Sequence, residues 1–118
     1  MKIERFEDIR AWQKARELTI SIYRLFNSNR DYGFKDQICR ASVSIMNNIA
    51  EGFEKRGDKE LAKYLYIAKG SSAEVRSMLY LAKDLNYLSL EDFQLNYDLT
   101  IDISKLLSAF IKTLNMTL

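Results

Sequence analysis

The stretch SLEDFQLNYDLTIDISKLLSAFIKTL, Ser89–Leu114, decides the fold. Phe93, Tyr97, Leu99, Ile101, Ile103, Leu106, Leu107, Phe110, Ile111 and Leu114 cover most of a helical circumference, leaving a narrow polar strip of Asp98, Asp102, Lys105 and Lys112. Ser89 followed by Asp92 nearly matches a capping box, with Asp where Glu or Gln is usual, and starts this helix. It continues to about Leu114. A bundle helix needs only a stripe roughly 100° wide, so the surplus here predicts a covering surface.

The pattern repeats toward the N-terminus. Asn86 is the expected stop of a long third helix, about Lys59 to Leu85, which carries two adjacent stripes. One is Leu61, Leu65, Ala68, Val75, Leu79 and Ala82; the other is Tyr64, Ile67, Met78, Leu81 and Leu85. Gly57 is expected to take the left-handed conformation that closes the second helix, and Asp58 to cap the third. The second helix, about Phe34 to Arg56, buries Ile38, Ala41, Ile45, Ile49 and Phe53. The turn-forming run Asn27–Gly33 separates it from a first helix, about Asp8 to Asn27. There Ala11, Trp12, Ala15, Leu18, Thr19, Ile22, Leu25 and Phe26 share one face.

The chain has no Pro and only four Gly, few of the punctuators that strand-rich folds need. Short breaks force successive helices to lie side by side, which predicts an all-α, antiparallel up-and-down four-helix bundle. Its 118 residues suit one domain, 1–118, and contain no internal repeat, linker or low-complexity segment. Two helices with excess apolar surface predict self-association.

The opening residues, Met1 to Phe6, lack the apolar run of a signal peptide, and no later stretch approaches ~18 apolar residues. The expectation is a cytoplasmic protein without a membrane partner. Cys39 is the lone cysteine and the chain has no His, so Cys39 reads as a small buried hydrophobe. Losing His removes the commonest general base and the commonest zinc ligand. Ala68-Lys69-Gly70-Ser71-Ser72 lacks the spacing of a phosphate loop, and no Glu-x-x-His pair offers a di-metal site. The reading is a non-enzyme with no cofactor, catalytic residue or metal ligand.

Several polar and small residues stand out. Arg40, Ser44, Asn47 and Glu51 form a line along the second helix, and Glu74 interrupts the second stripe of the third. Arg40 and Glu51 lie about 16 Å apart by helical rise, too far to pair. Arg40 is therefore expected to meet Glu74, within the chain or across a subunit boundary. Gly70 with Ala68, Ser71, Ser72 and Ala73, and Ser42, Ser44, Ala50 and Gly52, make two small-residue patches suited to close helix approach.

The net charge is only +2, so a basic surface must come from distribution. Residues 1–88 hold 16 basic and 12 acidic side chains; residues 89–118 hold two and four. Tyr66, Lys69, Ala73, Arg76, Tyr80 and Lys83 fall on one stripe of the third helix, expected opposite the core. Lys55, Arg56 and Lys59 extend the positive charge around the preceding turn. Cations neutralise phosphates and tyrosine rings stack on bases, so Lys55, Arg56, Lys59, Tyr66, Lys69, Arg76, Tyr80 and Lys83 form a candidate nucleic-acid-binding surface. The alternatives are a solvated helix face with its tyrosines lying over neighbouring residues, or a second subunit contact.

Three runs carry a family resemblance. They are Phe6-Glu7-Asp8-Ile9-x-x-Trp12-Gln13-Lys14-Ala15, then Gln37-Ile38-x-Arg40-Ala41-x-x-Ser44-Ile45-x-x-Asn48-Ile49-Ala50-Glu51-Gly52, then Tyr64-Leu65-x-Ile67-Ala68-x-Gly70-Ser71-x-x-Glu74. Together they resemble the four-helix bundle proteins encoded in intervening sequences of bacterial 23S rRNA genes. Met46 departs from the family, which commonly has Pro there, and implies a less kinked second helix. The resemblance implies a homopentamer without known catalytic activity. It also connects the chain to accessory proteins of diversity-generating retroelements, in which a basic pentamer binds nucleic acid and a reverse transcriptase. Arg40, Asn48, Glu51 and Glu74 match the motif and read as structural. The expected function is non-specific binding of RNA or DNA by an oligomeric bundle; the alternative is a protein-interaction scaffold with no nucleic-acid role.

Overall fold

A computed structural model describes residues 2–115. A single 3-10 turn, Phe6–Asp8, precedes α1 (Arg10–Leu25), α2 (Tyr32–Glu54), α3 (Asp58–Asp84) and α4 (Leu90–Asn115). These are the four helices the periodicity predicts. The first begins two residues later than expected because the chain turns at Phe6–Asp8 before entering it. Trp12 meets Phe6 edge-on there, with ring centroids 5.2 Å apart.

Each helix packs against two others: α1 on α2 and α4, and α3 on α2 and α4, so α1 and α3 sit diagonally. The molecule measures 45 × 21 × 19 Å, and a 27-residue α3 spans about 40 Å of that length at 1.5 Å per residue. Leu18 and Ile22 of α1 and Phe26 just past its end meet Ile38, Ile45 and Ile49 of α2, Leu65, Val75 and Leu79 of α3, and Ile103 and Leu107 of α4 in one fully buried core. Their three- and four-residue spacing makes each helix one-sided, and burying those sides together removes them from water. Among the described residues, no helix is long and apolar enough to cross a membrane.

The helix ends follow local chemistry. Asn86, at φ 59°, closes α3 as expected. Its N–H donates to the Lys83 carbonyl at 3.0 Å, and the Tyr87 N–H reaches back to Ala82 at 2.8 Å, the paired bonds of a Schellman stop. The Ser89 hydroxyl accepts from the Asp92 N–H at 3.0 Å, which is the cap expected for α4. Asp31 plays the same part for α2, accepting from the Phe34 N–H at 3.2 Å.

The α2–α3 turn corrects the sequence reading. Arg56, not Gly57, holds the left-handed conformation, at φ 58°. Gly57 is extended (φ −153°, ψ 137°) and serves as the N-cap, with Asp58 the first residue of α3. The Gly57 carbonyl accepts the first helical bond from the Leu61 N–H at 2.9 Å, and that bond needs an extended residue there. The tight reversal thus falls one residue earlier.

The small-residue patches also separate. An ideal Cβ on Gly52 would stand 2.5 Å from Tyr64 Cβ, so Gly52 is what lets α2 and α3 approach. Gly70 has nothing within 4 Å of the same position and opens outward.

Candidate nucleic-acid interface

The basic and aromatic residues of α3 do form one line, but it runs along the α3–α4 seam and not opposite the core. The reason is the ring of Tyr80, which packs against α4: its centroid lies 5.4 Å from Phe93 and 5.7 Å from Tyr97. Phe93 and Tyr97 stack on each other at 5.6 Å, completing an aromatic cluster that pulls the stripe sideways. The Lys83 ammonium sits 4.5 Å from the Phe93 ring centroid and 5.3 Å from that of Tyr80. These are cation–π distances. Farther along the seam, Arg76 Nη1 donates to Ser104 Oγ at 3.4 Å. Lys69, Arg76 and Lys83 are all half-buried.

The other members remain open. Lys55, Arg56 and Lys59 stand exposed at the α2–α3 turn, and Tyr66 is 54% exposed. Lys55 Nζ lies 5.9 Å from the Tyr64 ring centroid. Among the described residues the ion pairs join only Arg5 to Glu7 and Asp8, at 3.8 Å each. None of the six cations of the candidate surface is therefore neutralised by a carboxylate. The structure gathers Lys69, Arg76, Tyr80 and Lys83 on one seam and leaves Lys55, Arg56 and Lys59 as a separate cluster at the bundle end.

The contact with the Tyr80 hydroxyl holds the Tyr97 phenol above its ordinary pKa, with Tyr80's own charge and burial adding to the effect and Arg76 opposing it. The cluster's positive character comes from Arg76 and Lys83.

On the other flank of α3 a polar ladder joins it to α2. Gln37 Nε2 donates to Glu74 Oε2 at 3.3 Å, Ser44 Oγ meets Ser71 Oγ at 2.9 Å, and the Tyr64 hydroxyl reaches Glu51 Oε1 at 3.4 Å. Asn48 Nδ2 donates to Ser44 at its carbonyl (2.8 Å) and its hydroxyl (3.0 Å). Arg40 and Glu74 line one groove of about 440 Å³ with Gly33, Asp36, Gln37, Ala41 and Ser44. They form no ion pair with each other, so the pairing expected within one chain is absent. Gln37 takes the place at Glu74 that the sequence reading gave to Arg40. Its position one turn before Arg40 on the same helix face is the signal that could have found it.

Among the described residues, no group of three or more His, Cys, Asp or Glu could hold a metal ion. The aromatic and ladder residues satisfy one another.

Comparison with known proteins completes the description. The chain is similar to a crystal structure of a protein of unknown function from the S23 ribosomal protein family of Bacteroides thetaiotaomicron VPI-5482. The two share 25% identity and a TM-score of 0.81, over 86% of this chain and 98% of the other. No curated protein matches. The family model described as 23S rRNA-intervening sequence protein matches residues 7–109, which takes in the three motif runs except Phe6, and most of α4. The chain therefore belongs to the 23S rRNA-intervening sequence protein family.

Proposed function

We propose that this chain acts without catalysis, as a helical bundle that assembles with copies of itself and binds RNA or DNA without sequence preference. The observation that carries the reading is the set of six cations, Lys55, Arg56, Lys59, Lys69, Arg76 and Lys83, none paired with a carboxylate among the described residues. Unneutralised cations gain by displacing the counterions of a phosphate backbone, and exposed Tyr66 and Tyr80 give bases a surface for stacking. The family resemblance extends the proposal to a ring of five in the cytoplasm, with a reverse transcriptase or another protein as a further partner.

A salt titration of binding to single-stranded RNA and to duplex DNA tests this. Affinity should fall linearly with log salt, losing about one unit of slope for each phosphate contact removed. The triple variant Lys55→Glu, Arg56→Glu, Lys59→Glu should abolish binding and leave the helical fold intact, since all three side chains are exposed. Binding that ignores salt, or survives this variant and its counterpart at Lys69, Arg76 and Lys83, would overturn the proposal.

A specific observation favours the second reading, a protein-interaction scaffold. Ile67, Leu81 and Leu85 are 46%, 48% and 46% exposed on α3, an apolar face that suits a protein better than a phosphate backbone. Salt-independent capture of a partner protein, with no nucleic acid bound, is its signature.

A further inference from the structure

The groove between α2 and α3 holds charges of both signs that find no partner of opposite sign among the described residues. Arg40 and Glu74 are both exposed and line the same groove, together with Asp36, which is exposed as well. Among the described residues none of the three belongs to an ion pair, and the one polar contact to Glu74 is the neutral Gln37 amide at 3.3 Å. A nucleic-acid strand or an acidic peptide would meet two carboxylates here for one guanidinium. A basic peptide would meet Arg40. What the groove fits is a surface that itself carries both signs, and a second copy of this chain supplies one.

The surroundings point the same way. Ile67, Gly70, Glu74, Ser77 and Leu81 follow one another at spacings of three and four, so Glu74 stands in the middle of α3's outward stripe. Ile67 and Leu81 flank it, nearly half exposed. A glycine inside a helix costs about 1 kcal/mol relative to alanine, and Gly70 has no neighbour within 4 Å to account for its presence. A backbone approaching from outside would use that space. Charge, apolar surface and clearance coincide on this one face.

We infer that Arg40 and Glu74 are the two halves of an ion pair between copies, Arg40 of one subunit facing Glu74 of the next across α3's outward stripe. The inference rests on the self-assembly part of the proposed function and names the contact that carries it. Around a ring the pair would be made once at each interface, and across a two-fold axis twice. It also gives Arg40 the carboxylate that its own chain withholds. Beside Ile67 and Leu81 the pair would be partly shielded from water, where reversing one charge is costly.

Sedimentation or light scattering of charge-reversed chains tests the pair. In Arg40→Glu two acids face each other at every contact, and in Glu74→Arg two cations do. Each should weaken association at least about tenfold while circular dichroism and the melting transition stay near wild type. Mixing the two variants should restore association between unlike chains, because each such contact regains opposite charges. A ring with an odd number of subunits keeps at least one like contact, so the readout is mixed-chain association and not ring closure. The double variant should also assemble alone. An ion pair made inside one chain gives rescue in the double variant but none on mixing, so failure to rescue on mixing overturns the inference. If the wild-type chain stays monomeric at high concentration, the assembly reading falls and takes this contact with it, leaving nucleic-acid binding to its own test. If wild type assembles and the reversals change nothing, only the Arg40–Glu74 contact falls.

Discussion

The outward faces of α3 and α4 look alike in the sequence, since both carry more apolar residues than one bundle stripe requires, yet they end in different states. On α4 the surplus is sheltered within the chain. Tyr97, Leu106 and Phe110 pack partly buried against the core, and Phe93 is buried under Tyr80 and Lys83. On α3 the second stripe divides: Met78 is buried, whereas Ile67, Leu81 and Leu85 stay nearly half exposed. The neighbours explain the contrast. Where α3 meets α4 the side chains are long, and Tyr80 and Lys83 reach around to cover their partner's rings. Where α3 meets α2, Gly52 lets the backbones come close, and the long side chains there, Gln37 with Glu74 and Tyr64 with Glu51, bond one another and leave Ile67, Leu81 and Leu85 uncovered. Excess apolar circumference therefore does not by itself call for a second subunit. The apolar residues that made α4 look over-endowed are covered within the chain, while Leu90 and Leu95 of the same helix stay 72% and 59% exposed.

The widest gap between the two faces should appear on truncation. Phe93→Ala removes a buried ring from the α3–α4 cluster and should cost about 3–4 kcal/mol in denaturant unfolding. Leu81→Ala, on the open face, should stay within about 0.5 kcal/mol while weakening self-association. Equal losses from the two would erase the distinction. A smaller contrast lies between two glycines. Gly52→Ala forces a Cβ into Tyr64 and should destabilise by about 2 kcal/mol, whereas Gly70→Ala should stabilise the isolated subunit by about 1 kcal/mol. If Gly70→Ala also loosens the assembly, the open position is used by a neighbour; unchanged assembly would mean that nothing approaches there.

The finest test is in alkaline solution. Tyr97's pKa is raised, chiefly by the Tyr80 hydroxyl, so the folded chain holds that proton more tightly than the unfolded one. The resulting stability is complete below the ordinary tyrosine value of about 10 and is lost as pH climbs through the raised folded value. Melting temperatures of wild type and Tyr97→Phe should therefore diverge below that value and converge above it. Parallel curves across the range would show that the α3–α4 seam does not depend on this contact.

Much of this was legible before any coordinates. Asn86 and Ser89 act through neighbours within six residues, so their roles as stop and cap follow from local chemistry alone. Ile38, Ile45 and Ile49 are fully buried where the helical period puts them. The α2–α3 turn was less legible, because Gly57 tolerates the left-handed region but the geometry of α3's first bond required it to be extended, which moved the reversal to Arg56. The candidate surface was half legible. Spacing put Lys69, Arg76, Tyr80 and Lys83 on one line, yet only packing against Phe93 and Tyr97 decided which way that line faces.

The sequence by itself determined four one-sided helices, their order, most of their ends and the family to which the chain belongs, because each depends on periodicity or on contacts between near neighbours. Only the tertiary structure decided which apolar surplus is covered, that Gln37 and not Arg40 meets Glu74, and that Gly52 is filled against while Gly70 stands open. Those outcomes turn on how far a side chain reaches across a seam between helices, and that distance is set by the whole packed bundle.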